Sequence, residues 1–286
     1  MASSNFSCDN VYGGPPSVSE MLILCPNRHE LAPTSVSCYY VAMDKKLVIV
    51  TGSTRGIGKS IAVQLSQAGY IVHGVYNTSN KEAGAISKEH GIVFHQADLS
   101  NRQQTLKLVE ELSSLNIYAL VNNAGIWEMD NPNDMSFDTW DKTIEANLTA
   151  PLILSEKLSK SMSPGSSIVN ISSTDGLMGA YNGISYSASK AALINVTKSL
   201  GNTLGVKGIR VNSIAPGWIA TEMVDPDATE NAKDTNPLGR IGKTTEIADV
   251  VEFLISEKAS YINGTTIVVD GGGINVDYGL KKESGY

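Results

Sequence analysis

Residues 47–58 read LVIVTGSTRGIG, and this stretch decides the fold. Leu47 to Val50 form an uninterrupted apolar run, which is typical of a strand buried on both faces, and a helical pattern follows from about Gly58. Glycines spaced Gly-x-x-x-Gly-x-Gly lie between them. They let the backbone approach a pyrophosphate at the helix N-terminus, although such turns also serve tight packing alone. The predicted cofactor-binding residues of this loop are Gly52, Ser53, Thr54, Arg55, Gly56, Ile57 and Gly58.

Apolar runs alternate with helical patterns along the rest of the chain. Gly69 is a predicted C-cap of the first helix, and Ser100 with Gln103 is a predicted capping box of a later one. This alternation predicts an α/β fold: a single Rossmann-type, doubly wound domain with a parallel seven-stranded sheet and helices on both faces. The further predicted strands are 71–76, 91–94, 118–121, 167–171, 210–215 and 265–269, and the long helices lie near 136–160, 186–204 and 244–256.

Residues 1–42 differ in texture from the rest of the chain. Four prolines interrupt the segment, no helical or strand period persists, and it holds all three cysteines. We expect a poorly ordered N-terminal extension, with the catalytic domain running from 43 to 286. An oligomer-specific arm and a translation start at Met43 are the open alternatives. Because the core lacks cysteine and no disulfide framework is present, we expect a reducing, cytoplasmic location.

Composition excludes several classes of partner and site. The 286-residue chain has a formal net charge of -7, which argues against nucleic acid and anionic membranes. No run approaches the roughly 18 apolar residues that a membrane span needs. No histidine falls in a catalytic motif or pairs with another at ligand spacing, so we expect structural roles and no metal. The four histidines are His29, His73, His90 and His95.

The second strand predicts which nucleotide binds. An NAD site normally has Asp or Glu about 20 residues past the glycines, where it bonds the ribose 2′-hydroxyl. No acidic residue occurs between Lys59 and Lys81, whereas Arg55 lies inside the glycine loop. A guanidinium there can bind a 2′-phosphate, so the predicted cofactor is NADP(H). The alternative is that Arg55 is a solvated loop charge.

Several further motifs follow one another in order, some directly after predicted strands and others in the predicted helices between them. They are NNAG at 122–125, Asn147, Ser173, YSASK at 186–190 and PGWIAT at 216–221. With these residues the chain, over about 45 to 273, resembles the short-chain dehydrogenase/reductase family. Within that family its pattern is most similar to the 3-oxoacyl-[acyl-carrier-protein] reductases.

The resemblance implies a catalytic tetrad of Asn147, Ser173, Tyr186 and Lys190. Reducing a ketone to a secondary alcohol needs a hydride from the nicotinamide and a proton for the developing alkoxide. A free tyrosine, with a pKa of about 10, is a weak proton donor near neutrality. Residues at i and i+4 share a helix face, so Lys190 and the oxidised nicotinamide would together lower the pKa of Tyr186. Ser173 would bond the substrate oxygen, and Asn147 would position a water for proton return.

The resemblance also assigns contacts to the cofactor. The positions after the second and third strands would contact the 2′-phosphate and the adenine, the NNAG motif the adenine ribose, and the loop after the sixth strand the nicotinamide. Tyr186 and Lys190 would contact the nicotinamide ribose. The remaining residues carried over are Asn77, Asp98, Leu99, Asn123, Ala124, Gly125, Pro216, Gly217, Ile219 and Thr221.

The substrate is less specified. Carrier-protein reductases usually dock an acidic carrier on basic residues, but residues 161–167 read SMSPGSS and only Lys207 is basic at another docking position. A small-molecule ketone, 3-oxoacyl or other, is therefore the expected partner. A dedicated 3-oxoacyl-acyl carrier protein reductase is the alternative, and a nucleotide sensor without chemistry is a remote one.

Assembly follows from the same resemblance. Family members of this length usually form homotetramers through two long helices and the last strand. The helix from Ser187 carries small apolar residues, and strand 265–269 would otherwise be an exposed β-branched edge. We therefore expect a homotetramer.

Overall fold

A computed structural model describes residues 45–131, 133–221, 236–277, 280, 283 and 284. The predicted extension, 1–42, and residues 222–235 lie outside these residues. Seven parallel strands form one sheet in the order β3-β2-β1-β4-β5-β6-β7, which confirms the predicted fold. The strands are β1 (Leu47–Thr51), β2 (Ile71–Tyr76), β3 (Val93–Gln96), β4 (Ile117–Asn122), β5 (Met162–Ile171), β6 (Arg210–Pro216) and β7 (Thr266–Val269).

Helices connect the strands. None of those in the described part of the chain is long and apolar enough to cross a membrane. Short 3-10 turns at Ser159–Ser161, Glu257–Ala259 and Gly273–Asn275 complete the connections. The helices are α1 (Gly56–Gln67), α2 (Asn80–His90), α3 (Arg102–Leu112), α4 (Phe137–Ile144), α5 (Ala150–Leu158), α6 (Asp175–Met178), α7 (Ile184–Gly205) and α8 (Thr244–Ile255).

The core has two halves, one on each face of the sheet. Successive strand residues point to opposite faces. Val48 and Val50 accordingly pack in one apolar cluster with residues of α1 and α8, while Ile49 packs in a second with α3, α5 and α7. All three are fully buried. A strand that buries both faces reads as a continuous apolar run, which is why β1 is visible in the sequence.

Several local predictions are confirmed and others are wrong. Gly69 follows the α1 C-cap with a φ of +91°, as a C-terminal glycine should. The predicted capping box is wrong: Asn101 is the N-cap of α3 and accepts the N–H groups of Gln103 and Gln104. Ser100 instead donates to Asp98. The third strand begins at Val93, two residues later than predicted.

The predicted single helix over 136–160 contains an irregular turn. Residues 145–149 form a π-helical turn between α4 and α5. Such a turn inserts one extra residue and is frequent at functional sites. Asn147 lies within it, so the turn sets the direction of that side chain.

Candidate active site

The candidate active site lies at the carboxyl edge of the sheet, where β1, β4, β5 and β6 end. In open parallel sheets this edge is where ligands bind. The glycine loop follows β1, the NNAG motif follows β4, Ser173 follows β5 and the PGWIAT motif overlaps the end of β6. The topology therefore brings the separate sequence motifs to one edge.

The glycine loop folds tightly between β1 and α1. Gly52 and Gly56 have φ values of +65° and +52°, a region that favours glycine. A Cβ on Gly52 would lie 2.9 Å from the Ala124 Cα, and one on Gly58 would overlap the Gly52 carbonyl oxygen. The three glycines thus allow this backbone path, and the loop fits a pyrophosphate at the α1 N-terminus.

The loop is tied to the end of β2. Both the backbone N–H and the Oγ of Ser53 donate to the Val75 carbonyl oxygen, at 3.2 and 3.4 Å. Arg55 occupies the α1 N-cap, is exposed and makes no side-chain capping bond, while Thr54 is buried. Asn77, one residue past β2, is also exposed. Both side chains predicted to select the nucleotide are therefore accessible.

The NNAG motif joins β4 to the glycine loop. The Thr51 Oγ1 accepts the backbone N–H groups of Asn123 and Ala124, at 2.9 and 3.0 Å. The Asn123 side chain donates to the carbonyl oxygens of Thr51 and Gly52, at 2.9 and 3.2 Å. Its amide N–H group is thus used to hold the loop, a role that the resemblance did not assign to it.

The other predicted contacts lie at two places along this edge. After β3, the Asp98 carboxylate accepts the Ser100 hydroxyl at 2.7 Å, and Leu99 is buried. After β6, the Gly217 N–H donates to Val269, and a Cβ there would lie 2.6 Å from the Asp270 Cβ. The remaining positions here are Pro216, which ends β6, Ile219, which is buried, and Thr221, which is half-buried.

Asn147 and Lys190 meet at Gly125. A Cβ on Gly125 would lie 3.2 Å from the Asn147 Oδ1 and 3.4 Å from the Lys190 Nζ. Asn147 is fully buried and pairs with the Ile126 backbone, accepting its N–H at 2.7 Å and donating to its carbonyl at 2.8 Å. The Asn147 amide also donates to the Ser189 Oγ at 3.2 Å. The π-helical turn thus links the loop after β4 to α7.

Tyr186 and Lys190 share one face of α7. The Lys190 Nζ lies 5.5 Å from the centroid of the Tyr186 ring and donates to the Ile171 carbonyl at 2.9 Å. Ser173 lies close enough to Tyr186 to lower the pKa of its hydroxyl, and the Ser173 Oγ accepts the Asp175 N–H at 3.1 Å. The structure thus brings all four predicted tetrad residues to one place.

Burial dominates the electrostatics of this pair in the protein without its cofactor. Burial raises the pKa of Tyr186 to about 12, the nearby Ser173 hydroxyl lowers it and the Asp175 carboxylate raises it. Burial lowers the pKa of Lys190 to about 8. The protein's own groups therefore do not make Tyr186 more acidic than free tyrosine, because desolvation of the phenolate outweighs them.

Two acidic residues that the motifs did not reveal lie beside the tetrad. Asp130 is buried, and its carboxylate accepts the Ser185 N–H at 2.9 Å and the Ser185 hydroxyl at 3.0 Å. Asp175 is the first residue of α6. No local pattern marks Asp130, whose partner is 55 residues away. Asp175 did carry a signal, because it is the only charged residue from Ser161 to Ser189.

Two of the histidines lie together on neighbouring strands. His73 on β2 and His95 on β3 share a hydrogen bond of 2.9 Å, and the His95 Nδ1 contacts the Glu111 carboxylate at 2.5 Å. Adjacent parallel strands brought together residues 22 positions apart. Within the described residues no group of three or more His, Cys, Asp or Glu has a metal-binding arrangement.

Comparison with protein families gives a match over most of the chain. Residues 52–273 match the family model described as Enoyl-(Acyl carrier protein) reductase. A similar relative is the 3-oxoacyl-[acyl-carrier-protein] reductase of Aquifex aeolicus, 38% identical over 245 residues, covering 81% of this chain and 98% of that protein. The acetoacetyl-CoA reductase of Shinella zoogloeoides is 37% identical over 237 residues, covering 79% and 98%.

A solved structure agrees with these matches. The short-chain dehydrogenase of Burkholderia cenocepacia in complex with NADP superposes with a TM-score of 0.76 at 30% identity, covering 80% of this chain and 98% of that one. The matched region contains the glycine loop, the YSASK motif and the PGWIAT motif. The chain therefore belongs to the short-chain dehydrogenase/reductase family and is an oxidoreductase.

Proposed function

We propose that the site interconverts a ketone and a secondary alcohol with Tyr186 as the proton donor and acceptor. NADPH, when bound, supplies the hydride that adds to the carbonyl carbon. The carbonyl oxygen then takes the proton of the Tyr186 hydroxyl, so the product is the alcohol. The observation that carries this proposal is the meeting of the Ser173 and Tyr186 hydroxyls beside a buried Lys190.

The remaining tetrad residues act on that proton and on the substrate. Ser173 lies beside Tyr186 and can donate its hydroxyl to the substrate oxygen, which holds the ketone against the acid. Lys190 adds positive charge beside the Tyr186 ring, which favours the phenolate that forms in the reaction. Asn147 holds the Ile126 backbone next to Lys190 and thereby keeps this corner of the site in place.

The cofactor contacts follow the strand ends. The loop from Gly52 to Gly58 binds the pyrophosphate at the α1 N-terminus, and the exposed Arg55 binds the 2′-phosphate, with Asn77 beside the end of β2. The loop after β6, with Gly217 and Ile219, lies against the nicotinamide. The absence of an acidic residue from Lys59 to Lys81 supports the choice of NADP over NAD.

The proposed substrate is a small carbonyl compound, 3-oxoacyl or other. The names of the two curated relatives favour 3-oxoacyl thioesters, and a carrier-protein reductase is the second candidate. Against a carrier, residues 161–167 hold no basic side chain and Lys160 lies 3.5 Å from Glu156. Lys207 is exposed but is a single charge on a chain of net charge -7.

For the whole protein we propose a homotetramer in the cytoplasm, with residues 1–42 as an accessory extension. β7 is an edge strand of the sheet, and the small side chains of Ala188, Ala191 and Ala192 on α7 keep at least partial exposure. Pairing about two-fold axes would cover both features.

Tyr186→Phe is the direct test of the chemistry. It removes only the hydroxyl, so NADPH oxidation with a panel of ketones and 3-oxoacyl thioesters should fall at least about a hundredfold while NADPH binding changes little. A variant that keeps more than a tenth of the activity would remove Tyr186 from the proposed role. Testing the thioesters with and without carrier protein separates the two substrate candidates.

A further inference from the structure

Asp175 is held beside the reacting groups. Its N–H donates to the Ser173 Oγ at 3.1 Å. Asp175 is the first residue of α6, so this bond holds the start of the helix against Ser173. α6 lies directly against α7, because a Cβ on Gly176 would lie 2.7 Å from the Lys190 carbonyl carbon. Asp175 is therefore part of the wall around the tetrad rather than of a distant surface.

The carboxylate of Asp175 has no partner among the residues that the structure describes. No hydrogen bond or ion pair joins it to a donor there, and Lys190 donates to Ile171 instead. The side chain is half-buried, and this burial raises the pKa of Asp175. Half-buried carboxylates are normally paired, since desolvating an unpaired charge is costly.

An unpaired carboxylate at this position opposes the reaction. Asp175 lies next to the reacting groups, since its N–H contacts the Ser173 Oγ at 3.1 Å, and its negative charge raises the pKa of Tyr186 and so acts on the phenolate. The same charge acts on the oxyanion that develops on the substrate, because that oxygen must lie within reach of Ser173 and Tyr186. A positive or hydrogen-bond-donating group placed beside Asp175 would remove this penalty.

We propose that Asp175 determines substrate specificity by binding a hydrogen-bond donor, a hydroxyl or an ammonium group, on the carbon next to the reacting carbonyl. The inference rests on the proposed function and names the substrate class of the same site. The donor pairs with the carboxylate, while an anionic group at that carbon meets like charge. Leu177 and Met178 on the same helix are exposed and provide apolar surface there.

Four ketones that differ only at this carbon test the proposal. They are 2-butanone, 1-hydroxy-2-butanone, 1-amino-2-butanone and 2-oxobutanoate, each followed by NADPH oxidation near neutral pH. The two donor-bearing ketones should exceed 2-butanone in kcat/KM by about tenfold or more, as a hydrogen bond to a charged group would give, and 2-oxobutanoate should fall below it. The hydroxyl and ammonium compounds separate the two kinds of donor.

Asp175→Asn is the matching variant, because it keeps the shape and removes the charge. It should reduce the advantage of the ammonium compound at least about tenfold and improve 2-oxobutanoate. Asp141→Asn, an exposed acid on α4, is the control and should change none of the ratios. If wild type and Asp175→Asn have the same kcat/KM ratios between the substituted ketones and 2-butanone, the proposal is overturned while the ketoreductase function stays intact.

A binding measurement keeps the two proposals distinguishable if turnover is absent. Calorimetric titration of the NADPH-bound protein with 1-amino-2-butanol and 2-butanol should give tighter binding of the amino alcohol to wild type. Asp175→Asn should lose that difference. If wild type binds the amino alcohol more tightly but reduces no ketone, only the proposed function is contradicted. If Asp175→Asn changes neither the binding preference nor the kinetic preference, the role of Asp175 is contradicted.

Discussion

At the scale of single residues, Lys190 combines its proposed catalytic role with a cost in stability. Its burial lowers the pKa to about 8, so the folded state holds its proton less tightly than the unfolded state, whose value is 10.5. The destabilising charge is present below pH 8 and disappears as the pH rises from 8 to 10.5. Lys190→Met should raise the free energy of unfolding at neutral pH by roughly 1–3 kcal/mol.

Thermal or urea unfolding at several pH values checks the predicted stability of Lys190→Met. The stability difference between Lys190→Met and wild type should shrink between pH 8 and 10.5, and a difference that is independent of pH would contradict the burial of a charged ammonium group. The variant should also lose ketone reduction, because the charge beside Tyr186 is gone.

Arg55 gives the second prediction at this scale. Arg55→Ala should weaken NADPH binding about ten- to a hundredfold and NADH binding little, since only NADPH has the phosphate that the guanidinium would bind. Fluorescence titration with both cofactors measures the two dissociation constants. Lys59→Ala, an exposed cation four residues later on α1, is the control. An equal loss for both cofactors would mean that Arg55 does not select the nucleotide.

At the scale of secondary-structure elements, Asp130 fixes the start of α7, the helix that carries Tyr186 and Lys190. Its carboxylate binds Ser185, its N–H donates to the Asn182 carbonyl, and Tyr186 is the next residue. Asp130→Ala should lower the free energy of unfolding by about 1–3 kcal/mol and reduce kcat. The Asp130→Asn side chain can still accept the Ser185 N–H, so this variant should retain most of the stability and most of kcat. Urea unfolding and steady-state kinetics check this, and an unaffected Asp130→Ala would contradict it.

At the scale of the whole molecule, the prediction concerns assembly. Light scattering should give about four times the 30.4 kDa chain mass, and deletion of residues 1–42 should leave this value and turnover unchanged. Ala191→Glu, on the exposed side of α7, should dissociate the assembly, since two copies of the charge would meet at a two-fold axis. Lys107→Glu on α3 is the control. A monomer of wild type at micromolar concentration would contradict the prediction.

The sequence by itself determined the fold class and the position of the glycine loop, and its resemblance to a known family predicted the tetrad. β1 is buried on both faces and so is apolar throughout, and the glycines come in a local spacing that needs no distant partner to be recognised. The tertiary structure decided what depends on residues distant in the chain. Asp130 meets Ser185, His73 meets His95, Asn123 holds the glycine loop, and Asn147 is turned to Ile126 by a π-helical turn. It also decided that burial governs the pKa of Tyr186, because desolvation is set by everything packed around the hydroxyl and by no single neighbour in the sequence.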